Sequence, residues 1–127
     1  MPSYLLDSDV LIWILRNRES TVRMVEELAE RASEPLACSA LSVMEIQVGV
    51  RPGEEARTAE CLDGLTVLPV DGELAREAAA LLRKRKRLEP REWVDALIAA
   101  TAIRHGLTLV TYNRRDYPYS EVSLHPV

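Results

Sequence analysis

Cysteine and histidine are too few here to build the usual metal or nucleophile sites. Only Cys38 and Cys61 are present, each alone in an apolar context, without CxxC spacing and without a histidine at ligand distance in sequence. Buried free thiols in a reducing compartment are expected rather than a disulfide. His105 ends a helical segment and His125 lies in the tail, so neither accompanies the acidic segments described below. No His, Lys or Ser/His pair in those segments is placed to act as a nucleophile or base.

Long apolar runs are also missing. The longest, Val10-Leu11-Ile12-Trp13-Ile14-Leu15, is far shorter than a membrane span. The N-terminus shows no basic segment followed by a long apolar run. No signal peptide is therefore expected, and the expected location is the cytoplasm, away from membranes. Basic charge is in deficit, with a net charge of -4. That argues against a broad nucleic-acid-binding surface, yet a local basic patch plus a metal can hold phosphates on an acidic protein. What remains is an ordinary globular composition, 47% hydrophobic and 28% charged over 127 residues. It predicts one domain spanning residues 1–127, with no internal repeat.

Short apolar runs alternate with amphipathic ones. Tyr4-Leu5-Leu6 reads as a buried strand, and Ser8 is placed to cap a helix over residues 9–17. A second helix starts at Ser20 and ends before Pro35. Leu36-Ala37-Cys38 is a second strand, and Ser39 or Ser42 starts the next helix, closed by Gly49. Residues 54–62 form another helix. Residues 66–70 form a strand that contains Pro69 and so belongs at a sheet edge. Asp71 caps a long helix running into Arg83-Lys84-Arg85-Lys86-Arg87. Pro90 fits the first turn of a helix that ends at His105-Gly106. Leu107-Thr108-Leu109-Val110-Thr111 is a strong strand, and residues 122–124 a last one. This alternation predicts a parallel sheet with helices on both faces.

Four acids stand where these elements meet: Asp7 after the first strand, Glu45 and Asp95 within apolar helices, and Asp116 after the strong strand. In parallel sheets the ligand site lies beyond the carboxyl ends of the strands, and Asp7 and Asp116 belong on that edge. Carboxylates crowded there raise one another's pKa unless a cation compensates them. A Mg²⁺ or Mn²⁺ ion takes oxygen ligands, makes bound water a better nucleophile and stabilises a phosphoryl oxygen. Phosphodiester hydrolysis is the natural reaction of such a site.

Each residue also has a plainer reading. Asp7 could be a helix cap, Asp95 an early-helix acid and Asp116 a turn acid. Glu45 could be a solvated helix residue, although Val43, Met44, Ile46 and Val48 leave that helix little exposed face. Asp9 is either a first-turn acid or a residue just behind the ligands. Ser42 shares a helix face with Glu45 and could orient it or touch substrate. Gly49 could admit close approach to that face or simply end the helix. Thr111 and Asn113 could hydrogen-bond metal-bound water. The basic run could bind phosphate or form a solvated helix end. Trp13 and Trp93 read as core or interface residues rather than base-stacking platforms.

Taken together, these segments resemble the PIN domain, and within it the VapC-type ribonuclease toxins of toxin–antitoxin pairs. The resemblance rests on residues 6–12, the Ser42-x-x-Glu45-x-x-x-Gly49 helix, residues 95–100, and residues 110–113 with Asp116. It implies a three-layer α/β/α fold and Mg²⁺- or Mn²⁺-dependent endonucleolytic cleavage of RNA. Asp7, Glu45, Asp95 and Asp116 would be the metal-binding acids. It further implies a homodimer and a VapB-type antitoxin that blocks the site with a basic side chain. Asp9 departs from the pattern, where Asn is usual. Two rivals stand beside this reading. Asp7-Ser8-Asp9 partly fits the opening of haloacid-dehalogenase-type phosphatases, with Asp7 as nucleophile. The chain could also be a catalytically inactive dimer module that binds an antitoxin.

Overall fold

The computed structural model describes residues 3–85 and 89–126. Among them, five strands form one sheet: β1 (Ser3–Leu6), β2 (Ala37–Ser39), β3 (Thr66–Leu68), β4 (Leu107–Val110) and β5 (Ser123–Leu124). All pairings are parallel, in the order β3-β2-β1-β4-β5. Between them run α1 (Ser8–Leu15), α2 (Glu19–Arg31), α3 (Ala40–Val48), α4 (Glu55–Asp63), α5 (Gly72–Arg83) and α6 (Pro90–His105).

The strand pleat sends neighbouring side chains to opposite faces and so divides the core in two. Leu5, Ala37 and Leu109 pack with Leu74, Ala78 and Leu81 of α5 and with Ala96 and Ala99 of α6. Leu6, Cys38 and Val110 pack on the other face with Val10 and Leu11 of α1, Leu28 of α2, Ile46 of α3 and Leu62 of α4. The result is the parallel sheet with helices on both faces that the alternation predicted, and the three-layer α/β/α fold that the resemblance implied. The strand next to Pro69 does lie at an edge, and it ends at Leu68, before the proline.

Local signals set most boundaries. Asp71 Oδ1 accepts from Leu74 N at 2.8 Å and opens α5. Glu89 and Glu92 form a reciprocal capping box around Pro90, and Gly106 closes α6 at φ 63. Ser39, not Ser42, caps α3. The cap of α1 differs from expectation: it is Asp7, whose side chain accepts from Ser8 N at 2.8 Å. Ser8 is the first helical residue, which frees its hydroxyl for a longer-range partner. Helix α1 also stops at Leu15 rather than residue 17, because Asn17 turns left-handed at φ 59.

Both cysteines are free, as expected, and burial followed by the nearby Cys61 pushes the Cys38 thiol up to about 11. The basic run is divided. Arg83 ends α5, Lys84 pairs with Glu121, Arg85 pairs with Glu92 at 3.0 Å, and Lys86 and Arg87 lie outside the described residues. No described helix is long and apolar enough to cross a membrane.

The chain steps from β1 to β2 to β3 in one direction, then returns to place β4 on the other side of β1. Asp7 N donates to Val110 O at 3.0 Å and extends this central pairing by one residue. Open parallel sheets form their crevice at such a reversal, beyond the strand ends. The two-sided core gives a stability test. Leu28→Ala, at a 1% exposed position, should cost about 2–5 kcal/mol in urea unfolding. Val48→Ala, at an 84% exposed position on α3, should change stability by no more than about 0.5 kcal/mol.

Candidate active site

Asp7 is the best-anchored acid at the mouth of this crevice. It is 7% exposed and accepts three hydrogen bonds: from Ser8 N at 2.8 Å, Thr111 Oγ1 at 2.9 Å and Tyr117 OH at 2.8 Å. These donors come from the start of α1, the residue after β4 and the end of the 3-10 turn Arg114–Asp116. Burial, and then the adjacent Asp7, push the Tyr117 hydroxyl far up, so it stays protonated and donates.

Ser8 links Asp7 to Glu45. Its hydroxyl donates to Glu45 Oε1 at 2.8 Å and lies 2.9 Å from Ser42 Oγ. Ser42 is fully buried, so it supports Glu45 through Ser8 and offers nothing to substrate. Glu45 itself is exposed, and so are Met44 (55%) and Val48 (84%). The expectation that α3 has little exposed face is thus corrected, since apolar residues on a helix need not all be covered. Gly49 is the ordinary C-cap of α3, and a Cβ there would meet only carbonyl oxygens at 3.8 Å.

Asp9 bridges α1 to the end of β4. Its Oδ2 accepts from Tyr112 N at 2.8 Å, and its Oδ1 accepts from Val10 N at 2.8 Å. Burial, and then repulsion from Asp7, push its carboxyl up to about 6. Thr111 is buried and accepts from Asn113 N at 3.0 Å, while the Asn113 side chain is exposed.

Asp95 is half-buried in α6 and Asp116 is exposed at the end of the 3-10 turn. Burial pushes Asp95 up to about 7, reinforced in order by Asp116, Asp7 and Glu45. The structure therefore brings all four acids to one end of the sheet, within electrostatic reach of Asp95. It does not close them into a cage: among the described residues, no three His, Cys, Asp or Glu side chains are placed to enclose a metal ion. Nor, among those residues, do Asp7, Asp9, Glu45, Asp95 or Asp116 form an ion pair. The donor set suits a hard divalent cation. Its side-chain oxygens are all carboxylate, none of them is in an ion pair among the described residues, and Mg²⁺ commonly takes one or two carboxylates and keeps several waters.

The PIN domain family model matches residues 4–122. This chain belongs to the PIN domain family. Among curated PIN relatives, ribonuclease VapC10 of Mycobacterium tuberculosis is 35% identical over 118 residues, covering 92% of this chain and 87% of the relative. Ribonuclease VapC19 of the same organism is 31% identical over 115 residues, covering 90% and 91%. A solved toxin–antitoxin complex from Klebsiella pneumoniae superposes with a TM-score of 0.78 at 27% identity, covering 98% of this chain and 100% of that one.

Against the PIN pattern, Asp9 makes structural use of both oxygens, each on a backbone N–H, where an asparagine has one acceptor. Two contributors escaped the sequence. Tyr117 adjoins Asp116 but meets Asp7 across 110 residues of chain. Ser8 reads from sequence as a helix cap, whereas its hydroxyl donates to Glu45.

The Asp95 shift predicts a pH dependence in the metal-free protein. A carboxyl whose folded pKa is raised binds its proton more tightly when folded. Its contribution to stability is complete below about the usual 3.8 and is lost as pH rises through about 7. In EDTA, Asp95→Asn should therefore raise Tm relative to the parent at pH 8, and by clearly less at pH 5. Melting curves at the two pH values check this.

Proposed function

We propose that this chain is a Mg²⁺- or Mn²⁺-dependent endoribonuclease acting as the toxin of a toxin–antitoxin pair. The observation that carries the reading is the set of mutually repelling carboxylates around Asp95 at the reversal of a parallel sheet. The ribonuclease names of its PIN relatives supply the substrate class. Asp7, Glu45, Asp95 and Asp116 would hold the cation, directly or through its waters. Ser8, Ser42, Thr111 and Tyr117 keep Asp7 and Glu45 in place, and Asp9 and Asn113 flank the site. When bound, the cation supplies an activated water and stabilises charge on the phosphoryl oxygens. The chain's own part is positional: Thr111 and Tyr117 fix one Asp7 oxygen, Ser8 fixes one Glu45 oxygen, and Glu45 and Asp116 stay open to solvent and substrate.

The phosphatase rival fits poorly. The PIN family model matches residues 4–122, and the curated relatives that cover at least 90% of this chain are named ribonucleases. The inactive-module rival is decided by assay. Purified protein should cut RNA at internal bonds with Mg²⁺ or Mn²⁺, and EDTA or Asp7→Asn should abolish cutting. Equal cutting in EDTA would refute the metal mechanism. Tyr117→Phe removes one donor to Asp7 and should lower metal affinity or activity about 10–100-fold, read as a rightward shift of the Mg²⁺ titration.

The partners are an RNA substrate, a VapB-type antitoxin and a second copy of the chain, in the cytoplasm. Large apolar side chains exposed on α1 (Ile12 41%, Trp13 42%) and on α3 (Met44, Val48) support such contacts. Helix α2 covers its large apolar residues Val22, Met24, Val25 and Leu28 at least partly and adds little to this surface. Neither Trp13 nor Trp93 is a core residue, since Trp93 is 55% exposed.

A further inference from the structure

A cavity of about 320 Å³ opens directly beside the acids, lined by Asp95 and Asp116, by Glu89 and Glu92, and by Arg85, Arg91 and Arg115. On a chain of net charge -4, three guanidinium groups lining one recess next to the carboxylates need an explanation. Their neighbours do not use them up. Arg85 gives Nε and Nη2 to a single Glu92 oxygen, each at 3.0 Å, and Arg91 gives Nε to Glu89 at 3.0 Å. Arg115 forms no ion pair among the described residues. A guanidinium has five donors in a planar fork, so each retains N–H groups for an anion. The Arg91–Glu89 pair is on the surface, its arginine 84% exposed, and such pairs hold weakly enough for a stronger anion to compete.

We infer that this recess is a backbone-phosphate subsite, in which Arg85, Arg91 and Arg115 hold a phosphodiester of the RNA strand next to the one presented to the carboxylates. This rests on the ribonuclease reading and deepens it. Arginine is the side chain suited to bidentate phosphate contact. Without such a wall an acidic mouth would repel the strand it is meant to receive. Placing cations on the α6 side leaves Glu45 and the exposed face of α3 uncrowded, so the strand enters past the N-terminal end of α6. Contacts of this kind position a strand without reading its sequence. The subsite therefore sets affinity and register and leaves base choice to other surfaces. The basic run contributes here through Arg85, while Lys84 turns away to Glu121.

The test is binding of a fluorescent mixed-sequence single-stranded RNA, by anisotropy, in EDTA and separately in Ca²⁺, over a salt series. Arg91→Gln/Arg115→Gln should weaken binding at least about fivefold. It should also reduce the slope of log affinity against log salt by about 1.4, at about 0.7 per lost contact on a single strand. Arg115→Gln alone disturbs no described ion pair and should give about half that slope change. Arg23→Gln removes the same charge from α2, on the opposite face of the sheet, and should leave binding and slope unchanged. Melting temperatures confirm that each variant is folded. If the wild type binds RNA and the double variant binds it equally well, or if Arg23→Gln weakens it as much, the subsite assignment is wrong. If the wild type binds no RNA in either condition, the ribonuclease reading fails first and the subsite falls with it.

Discussion

Asp7 ends the central strand and begins the first helix, and its carboxylate gathers donors from three separate parts of the chain. Ser8 N, Thr111 Oγ1 and Tyr117 OH all converge on it, while its own N–H bonds to Val110. That arrangement joins β1, α1, the end of β4 and the 3-10 turn at a single buried anion. A buried carboxylate is costly unless hydrogen-bonded, and these bonds meet that cost without a cation. The neighbouring acids can then stand in the open around it, and Glu45 is reached through the same serine that follows Asp7.

Charge crowding governs the rest of the mouth. Asp9 and Asp95 are both pushed upward, first by burial and then by the other acids, with Asp7 acting on each. Asp9 offsets part of this with two backbone N–H bonds. Among the described residues Asp95 has no comparable hydrogen bond, and the opposing influence on it is Arg91. The protein thus holds a group of crowded carboxylates that opens onto a recess three arginines also line. A cation for the first and a phosphate for the second are complementary requirements, and an RNA strand with a divalent ion meets both.

Much of the fold was legible because it rests on local chemistry. Asp71, Pro90 and Gly106 mark helix ends by rules that operate within one turn, and the alternation of short apolar runs with amphipathic ones dictates a parallel sheet. Errors arose where two adjacent residues satisfy the same rule. Asp7 and Ser8 can each cap a helix, and only the position of Glu45, 37 residues beyond Ser8, decides between them. The burial of α3 was overestimated because its apolar residues at Met44 and Val48 are left uncovered. At the site, the acids were visible as charges set in apolar sequence. Tyr117 was not, because its role exists only through a contact spanning 110 residues. The recess likewise brings Arg115 beside Arg85 and Arg91, which lie before α6 and in its first turn.

The central claim is that the acids at the sheet edge form a divalent-cation site. Electron paramagnetic resonance reads it directly, since free aqueous Mn²⁺ gives a six-line signal that weakens when the ion binds protein. Titrating the purified protein into Mn²⁺ should deplete the free signal saturably, Mg²⁺ should restore it by competition, and Asp7→Asn/Asp95→Asn should leave it undiminished. A wild-type protein that left the free Mn²⁺ signal unchanged, or a double variant that depleted it as well as the wild type, would contradict the account.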